Sequence, residues 1–258
     1  MAEIIIICIA AFFTSILTFF SGFGLGTILM PVFALFFPID IAIALTGVVH
    51  FFNNLFKMAL VGKMADKKVL VRFGIPAIAA SFLGAWLLMK ITVLPFLFQY
   101  EMWGREFEIT LVKLVIAILL LFFSLFEIIP RFQRIQFDKN KLVLGGILSG
   151  FFGGLAGIQG ALRSAFLIKS GLSKEAYIAT GVIIAAMVDI TRLSVYAERF
   201  TTSGLHENLT LIVSAVVSAV FGAIIGKKLL KKVTLQFVQL LVAIFLSLIA
   251  LVLGAGFI

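Results

Sequence analysis

Few residues in this chain can do chemistry, and most stand inside apolar sequence. His50 has Asn53 and Asn54 one turn away, and Thr46, His50, Asn53 or Asn54, and Lys57 follow helical spacing along one face. A polar stripe on an apolar helix faces protein or water, and a histidine there can exchange a proton. Arg163 offers a planar guanidinium suited to the oxygens of a sulfonate or carboxylate. Asp189 and Arg192 stand one turn apart and can pair. They form a gate or ion pair, and Asp189 joins His50 as a proton-coupling candidate. Two glycine-rich breaks complete the set. The first runs Ser21-Gly22-Phe23-Gly24-Leu25-Gly26-Thr27; the second holds Gly145, Gly146, Gly150, Gly153, Gly154, Gly157 and Gly160, with Gln159 and Ser164 beside it. Each glycine costs a helix about 1 kcal/mol relative to alanine. Recurrence of the breaks in both halves points to interrupted helices whose exposed N–H groups and polar side chains meet an anion. Some of these glycines also serve close helix packing.

The elements that must position these groups are set by composition. Of 258 residues, 62% are hydrophobic and 13% charged, and the mean hydropathy is +1.22. A soluble domain is nearer half apolar and a quarter charged. This chain must therefore expose apolar residues to lipid, which excludes a soluble enzyme, a nucleic-acid-binding domain and a disulfide scaffold. Cys8 is the single cysteine, so no internal disulfide and no cysteine metal site is expected. The spacing implies no metal or cofactor. Glu3 is the first charge and more apolar sequence follows residues 4–20, which argues against a cleaved signal.

A bilayer core of roughly 30 Å needs about 20 helical residues. Full spans are expected at 40–61, 72–89, 109–129, 175–196, 208–226 and 234–257. Stretches 3–37 and 142–172 are broken by the glycine clusters. The net charge of +9 sits in clusters at 57–72, 131–141, 169–174 and 227–232, whereas the loops 90–108 and 197–207 hold mixed charge. Placing the basic loops in the cytoplasm requires 142–172 to enter and return as a hairpin, and 3–37 likewise. Each half then holds a broken-helix hairpin and three crossings, and the odd number inverts the second half. The expected fold is an all-α polytopic membrane protein of two inverted repeats, 1–130 and 142–258, joined by a cytoplasmic linker at 131–141, with both termini external. Thr46-Gly47-Val48 recurs as Thr180-Gly181-Val182, which supports the duplication.

Gly22-Phe23-Gly24-Leu25-Gly26 followed by Pro31, and Gly153-Gly154-Leu155-Ala156-Gly157-Ile158-Gln159-Gly160, resemble the glycine-rich motif of the sulfite exporter TauE/SafE family. The second motif carries Arg163 and Ser164 in place of the following proline. The resemblance covers nearly the whole chain. It implies a transporter of small sulfur-containing anions, such as sulfite or organosulfonates, in a prokaryotic cytoplasmic (inner) membrane.

The expected function is secondary transport by alternating access, possible with proton coupling. No Walker lysine motif is present. An anion channel is the nearest rival; an intramembrane enzyme built on Ser149 and His50 is a more distant one. The expected substrate contacts are Ser21, Gly22, Gly24, Gly26, Thr27, Asn53, Asn54, Gly157, Gln159, Gly160, Arg163 and Ser164. For Arg163 and Arg192 a second reading stands, in which the long side chains snorkel to the membrane edge. Asp189 falls on the face opposite Thr180, which argues against both lining one cavity. Trp103, Tyr100 and Phe107 read as interfacial anchors. The partners are a small anion and the lipid bilayer.

Overall fold

A computed structural model of the protein describes residues 2–18, 24–129, 131, 135–202, 208–229 and 235–258. Ser21 and Gly22 of the first break lie outside the described residues. Among the described residues, ten helices form the body. They are α1 (Ala2–Thr18), α2 (Leu25–Ala34), α3 (Ile39–Val61), α4 (Lys67–Thr92) and α5 (Leu111–Ile128). Then come α6 (Leu142–Ala156), α7 (Gly160–Leu167), α8 (Lys174–Thr202), α9 (Leu209–Leu229) and α10 (Leu235–Gly254). All six expected spans are helices, with ends shifted by a few residues. The order of two short helices followed by three longer ones occurs twice.

The second broken stretch returns to its starting end. The Phe137 N–H, just before α6, donates to the Ala165 carbonyl near the end of α7 at 3.1 Å, and the Phe137 and Phe166 rings stack at 4.2 Å. Helix α7 has 8 residues and α2 has 10. At 1.5 Å per residue they reach about 12 and 15 Å, half a bilayer core.

Packing pairs the halves by exchange. Helix α4 lies along α6, and α1 lies along α9; α5 packs on α10, and α3 on α8. Swapping each helix for its counterpart in the other half maps the first contact onto the second and leaves the other two unchanged. Glycine makes the closest of these contacts. A Cβ at Gly146, Gly150 or Gly154 would strike the backbone carbonyl of Phe73, Ala77 or Ser81, and one at Gly222 would strike that of Phe12. Lipid supplies no hydrophobic force between helices, so such backbone approach and its dispersion energy carry the association.

Apolar side chains point outward as well as inward. Phe82 and Trp86 on α4, Phe122 on α5, Phe221 on α9 and Leu248 on α10 are exposed, whereas Asn53, Thr180, Asp189 and Arg192 are buried. That inversion suits a hydrocarbon surround. In α4, residues 70–74 adopt a π-helical turn. Pro76 follows directly, has no N–H to give residue 72, and crowds that carbonyl with its ring.

One part of the chain departs from the all-helical expectation. Phe96–Met102 and Arg105–Thr110 pair as an antiparallel hairpin. Its two-residue loop, Trp103-Gly104, has φ of 54° and 70°, the left-handed pair that tight hairpins need. The β-branched and aromatic residues here pack as cross-strand pairs, such as Tyr100 on Phe107. The hairpin caps the end of α10: Phe107 meets the Phe257 ring edge to face at 5.0 Å, and Tyr100 Oη donates to the Ala255 carbonyl. Trp103, mostly exposed, stacks on Phe257.

Gly150→Ala should lower the melting temperature in detergent, by an overpacking cost of about 1–3 kcal/mol. Gly62→Ala should be near neutral, because its new Cβ is close only to the flexible Met58 side chain and otherwise makes ordinary contact with Ile183 at 4.0 Å. Equal melting of both variants would refute the backbone-contact account.

Candidate functional site

The site gathers on α3 and α8 around the two breaks. Helix α3 presents Thr46, His50, Asn53, Asn54 and Lys57, all buried. Helix α8 presents Asp189, Arg192 and Tyr196, spaced so that they share one face. The second break supplies Gln159 and, one turn into α7, Arg163. Gly157 makes the break possible: its φ of 74° ends α6 in the left-handed conformation, which side-chain-bearing residues resist. Ser149 Oγ then donates to the Gln159 carbonyl at 2.9 Å and holds the turn.

Asp189 is the centre. Oδ2 lies 2.7 Å from His50 Nδ1 and accepts from Asn54 Nδ2 at 3.3 Å. Oδ1 accepts from Arg192 Nε at 3.0 Å and from Gln159 Nε2 at 3.4 Å. Arg192 Nη2 stands 2.9 Å from the same Oδ1 as an ion-pair contact, out of line for a hydrogen bond. Gln159 passes the chain onward, since its Oε1 accepts from Arg163 Nη1 at 3.0 Å. A relay thus runs His50–Asp189–Gln159–Arg163, with Arg192 on a branch.

The charged groups of this cluster are buried. Asp189 and Arg192 are 0% exposed, Arg163 3% and Lys57 6%. Among the described residues of this centre, Arg192 pairs with Asp189 and Arg163 bonds to Gln159, with Lys57 buried beside them on α3. Ionisable side chains inside a membrane body are costly and mark a functional centre.

The two breaks touch. A Cβ at Gly26 would lie 3.3 Å from the Gly157 carbonyl oxygen and 3.8 Å from His50 Cδ2. Gly24, with φ of 107°, opens α2 beside Thr18. Gly24, Gly26, Gly157 and Gly160 are buried, and Thr27 and Ser164 half-buried. Ser15 of α1, which the sequence gave no reason to single out, donates to Asn53 Oδ1 at 3.3 Å.

Three expectations are corrected. Arg192 does not snorkel; it is enclosed, with Asp189 as its partner. Arg163 is likewise enclosed and not drawn out to the membrane edge. Lys57, counted among the loop charges, is a buried residue of α3. In addition, Asp189 does not stand apart from the Thr46 stripe, because α8 packs its 189 face onto α3. Thr180 lies elsewhere, accepting from the Asp66 N–H at 2.9 Å. Tyr196 was also missed; its hydroxyl donates to the Gly154 carbonyl and ties α8 to α6. The 189, 192, 196 spacing was the available signal.

An apolar-faced helical body enclosing a cationic polar centre is the architecture of an integral membrane protein that handles a charged solute. The sequence matches the sulfite exporter TauE/SafE family over residues 7–253. The chain belongs to that family, a family of transporters of sulfur anions. No curated protein matches it.

Asp189→Asn should destabilise the protein by roughly 3–5 kcal/mol, since it strands a buried arginine. Combining it with Arg192→Gln should restore part of that loss, with a coupling of about 0.5–3 kcal/mol. Strictly additive melting shifts would show that the pair does not act as a unit.

Proposed function

We propose that the protein is a secondary transporter that moves a small sulfur oxyanion or sulfonate across the membrane by alternating access. The gathering of the buried Arg163, Arg192 and Lys57 inside an apolar-faced helical body carries this reading. Arg163 and Lys57 are both buried at this centre, and an anion held by the two would meet a planar fork and a point charge. Gln159, Asn53 and Asn54 add amide donors beside it, with Gly26, Thr27, Gly157, Gly160 and Ser164 around the breaks.

Residues 1–130 and 142–258 act as two repeats, inverted about an axis in the membrane plane. The exchange-symmetric packing and the repeated helix order support this, because a repeat with an odd number of crossings must invert. Lys139 lies against Gly171, so the basic residues of the linker and of the α7–α8 turn share one end. We assign that end to the cytoplasm, the membrane to a prokaryotic inner membrane, and both termini to the outside. Rocking one repeat against the other opens the centre to each side in turn.

Proton coupling follows from the pairing of His50 with Asp189. A protonated His50 holds Asp189 and leaves Arg192 and Arg163 short of counter-charge, which favours anion entry. Loss of that proton returns Asp189 to the arginines, which favours release. A simple anion channel lacks any need for this pairing. Ser149 spends its hydroxyl on the Gln159 carbonyl, while His50 faces Asp189.

Four measurements test this. A thermal-shift screen across sulfite, sulfate, thiosulfate, taurine, sulfoacetate and isethionate, with carboxylate controls, should show stabilisation by a sulfur anion. In proteoliposomes, Arg163→Ala should abolish transport of that anion without loss of folding, and unchanged kinetics would remove Arg163 from the site. His50→Gln should uncouple transport from a pH gradient; persisting proton-driven accumulation would dismiss the histidine. A cysteine at Lys227 should label only from the cytoplasm, and labelling from outside would remove the inversion.

A further inference from the structure

We infer that the protein holds a second anion station, formed by Arg192 and Thr46 and separate from the one at Arg163 and Lys57. The inference rests on the transporter reading and adds a second resting place for the same anion.

Two enclosed donors lack acceptors. Arg192 Nη1 and Thr46 Oγ1 have no hydrogen-bond partner, and both residues are 0% exposed. Leaving such groups unpaired costs about 1–3 kcal/mol each, and more where charge is involved. They adjoin one another through the break. Arg192 Nη1 fills the space where a Gly157 Cβ would stand, at 2.7 Å. The Gly157 carbonyl borders Gly26, and Gly26 borders Thr46 Cγ2 at 3.9 Å. Gly47 clears the other side, since a Cβ there would lie 3.2 Å from Arg192 Cζ. The Arg192 guanidinium and the Thr46 side chain thus both border the space that Gly26, Gly47 and Gly157 leave open.

The repeat says the same thing independently. Thr46-Gly47 is the counterpart of Thr180-Gly181. Gly47 abuts Arg192, and Gly181 abuts Arg163, with 3.5 Å from its would-be Cβ to Arg163 Nε. The equivalent glycines of α3 and α8 thus each leave room for an arginine, Arg192 of α8 and Arg163 of α7, both from the second half of the chain. The difference is in the threonine: Thr180 Oγ1 is occupied by the Asp66 N–H, whereas Thr46 Oγ1 is vacant.

The two stations lie at different depths. Along α3, Gly47 and Lys57 are ten residues apart, about 15 Å of helix. Between them sit Asp189 and Gln159, the relay that already bonds to both arginines. Asn53 Nδ2, also enclosed and without a partner, stands at an intermediate level on α3. An anion leaving one arginine for the other passes a carboxylate that must turn to its second cation or to His50. Occupation of one station thereby sets the counter-charge at the other.

The test uses the full chain in nanodiscs, with sulfite kept under nitrogen as the probe. Arg163→Gln should still bind sulfite. In that background, Thr46→Val or Gly47→Ala should weaken the remaining binding about tenfold or more, the loss expected for one charge-assisted hydrogen bond. Thr46→Val should also hold or raise the melting temperature, because it replaces an unsatisfied buried hydroxyl by a methyl of equal shape. A structural threonine would instead lose stability. The station is overturned if Arg163→Gln, still folded by melting and size exclusion, loses all sulfite binding. It is equally overturned if the residual binding ignores both second substitutions. Either result leaves the transporter reading standing, whereas failure of the unsubstituted chain to bind sulfite or the other sulfur anions would remove both.

Discussion

Asp189 is a fully buried carboxylate bonded on both oxygens, and the centre of the molecule is arranged around it. Its two oxygens take His50 and Asn54 from α3, Arg192 from its own helix and Gln159 from the second break. Three elements are therefore held in register by one side chain. In a medium that cannot hydrate ions, an acceptor with four donors is stable and an orphaned cation is not.

That electrostatic centre exists only because backbones come close. Gly146, Gly150 and Gly154 let α6 lie directly on the carbonyls of α4, and Gly222 lets α9 lie on α1. Gly26 and Gly157 let the two breaks meet, and Gly47 leaves room for a guanidinium. One chemical property, the missing side chain, thus serves packing in one place and site construction in another. The glycines along the α4–α6 seam are packing residues. Those at the breaks and beside the arginines shape the site.

His50 and Arg192 hold opposite oxygens of the same carboxylate, so a change at either partner bears on the other. Helices of the first half pack on helices of the second, α4 on α6 and α1 on α9.

Much of this was legible from the residues in order. Composition fixed the solvent, since 62% hydrophobic residues cannot be hidden from water in a chain this short. Runs of apolar sequence located the six long helices, and clustered glycines marked both breaks, because glycine is what a chain uses where helix must stop or backbones must touch. The stripe from Thr46 to Lys57 was visible as spacing on a single helix. What spacing could not show was which helices face each other. Asp189 looked peripheral because its importance lies across the α3–α8 contact, and Arg192 looked like a surface charge because length alone permits snorkelling. Lys57 was counted with the loop beside it in sequence, though it points inward. The hairpin at 96–110 also escaped notice, as its aromatic residues suit a strand and a membrane interface equally. Local pattern determined the elements and the medium they live in. Only the tertiary structure decided the site, because pairing energies between buried charges depend on distance across helices, and sequence order does not encode that distance.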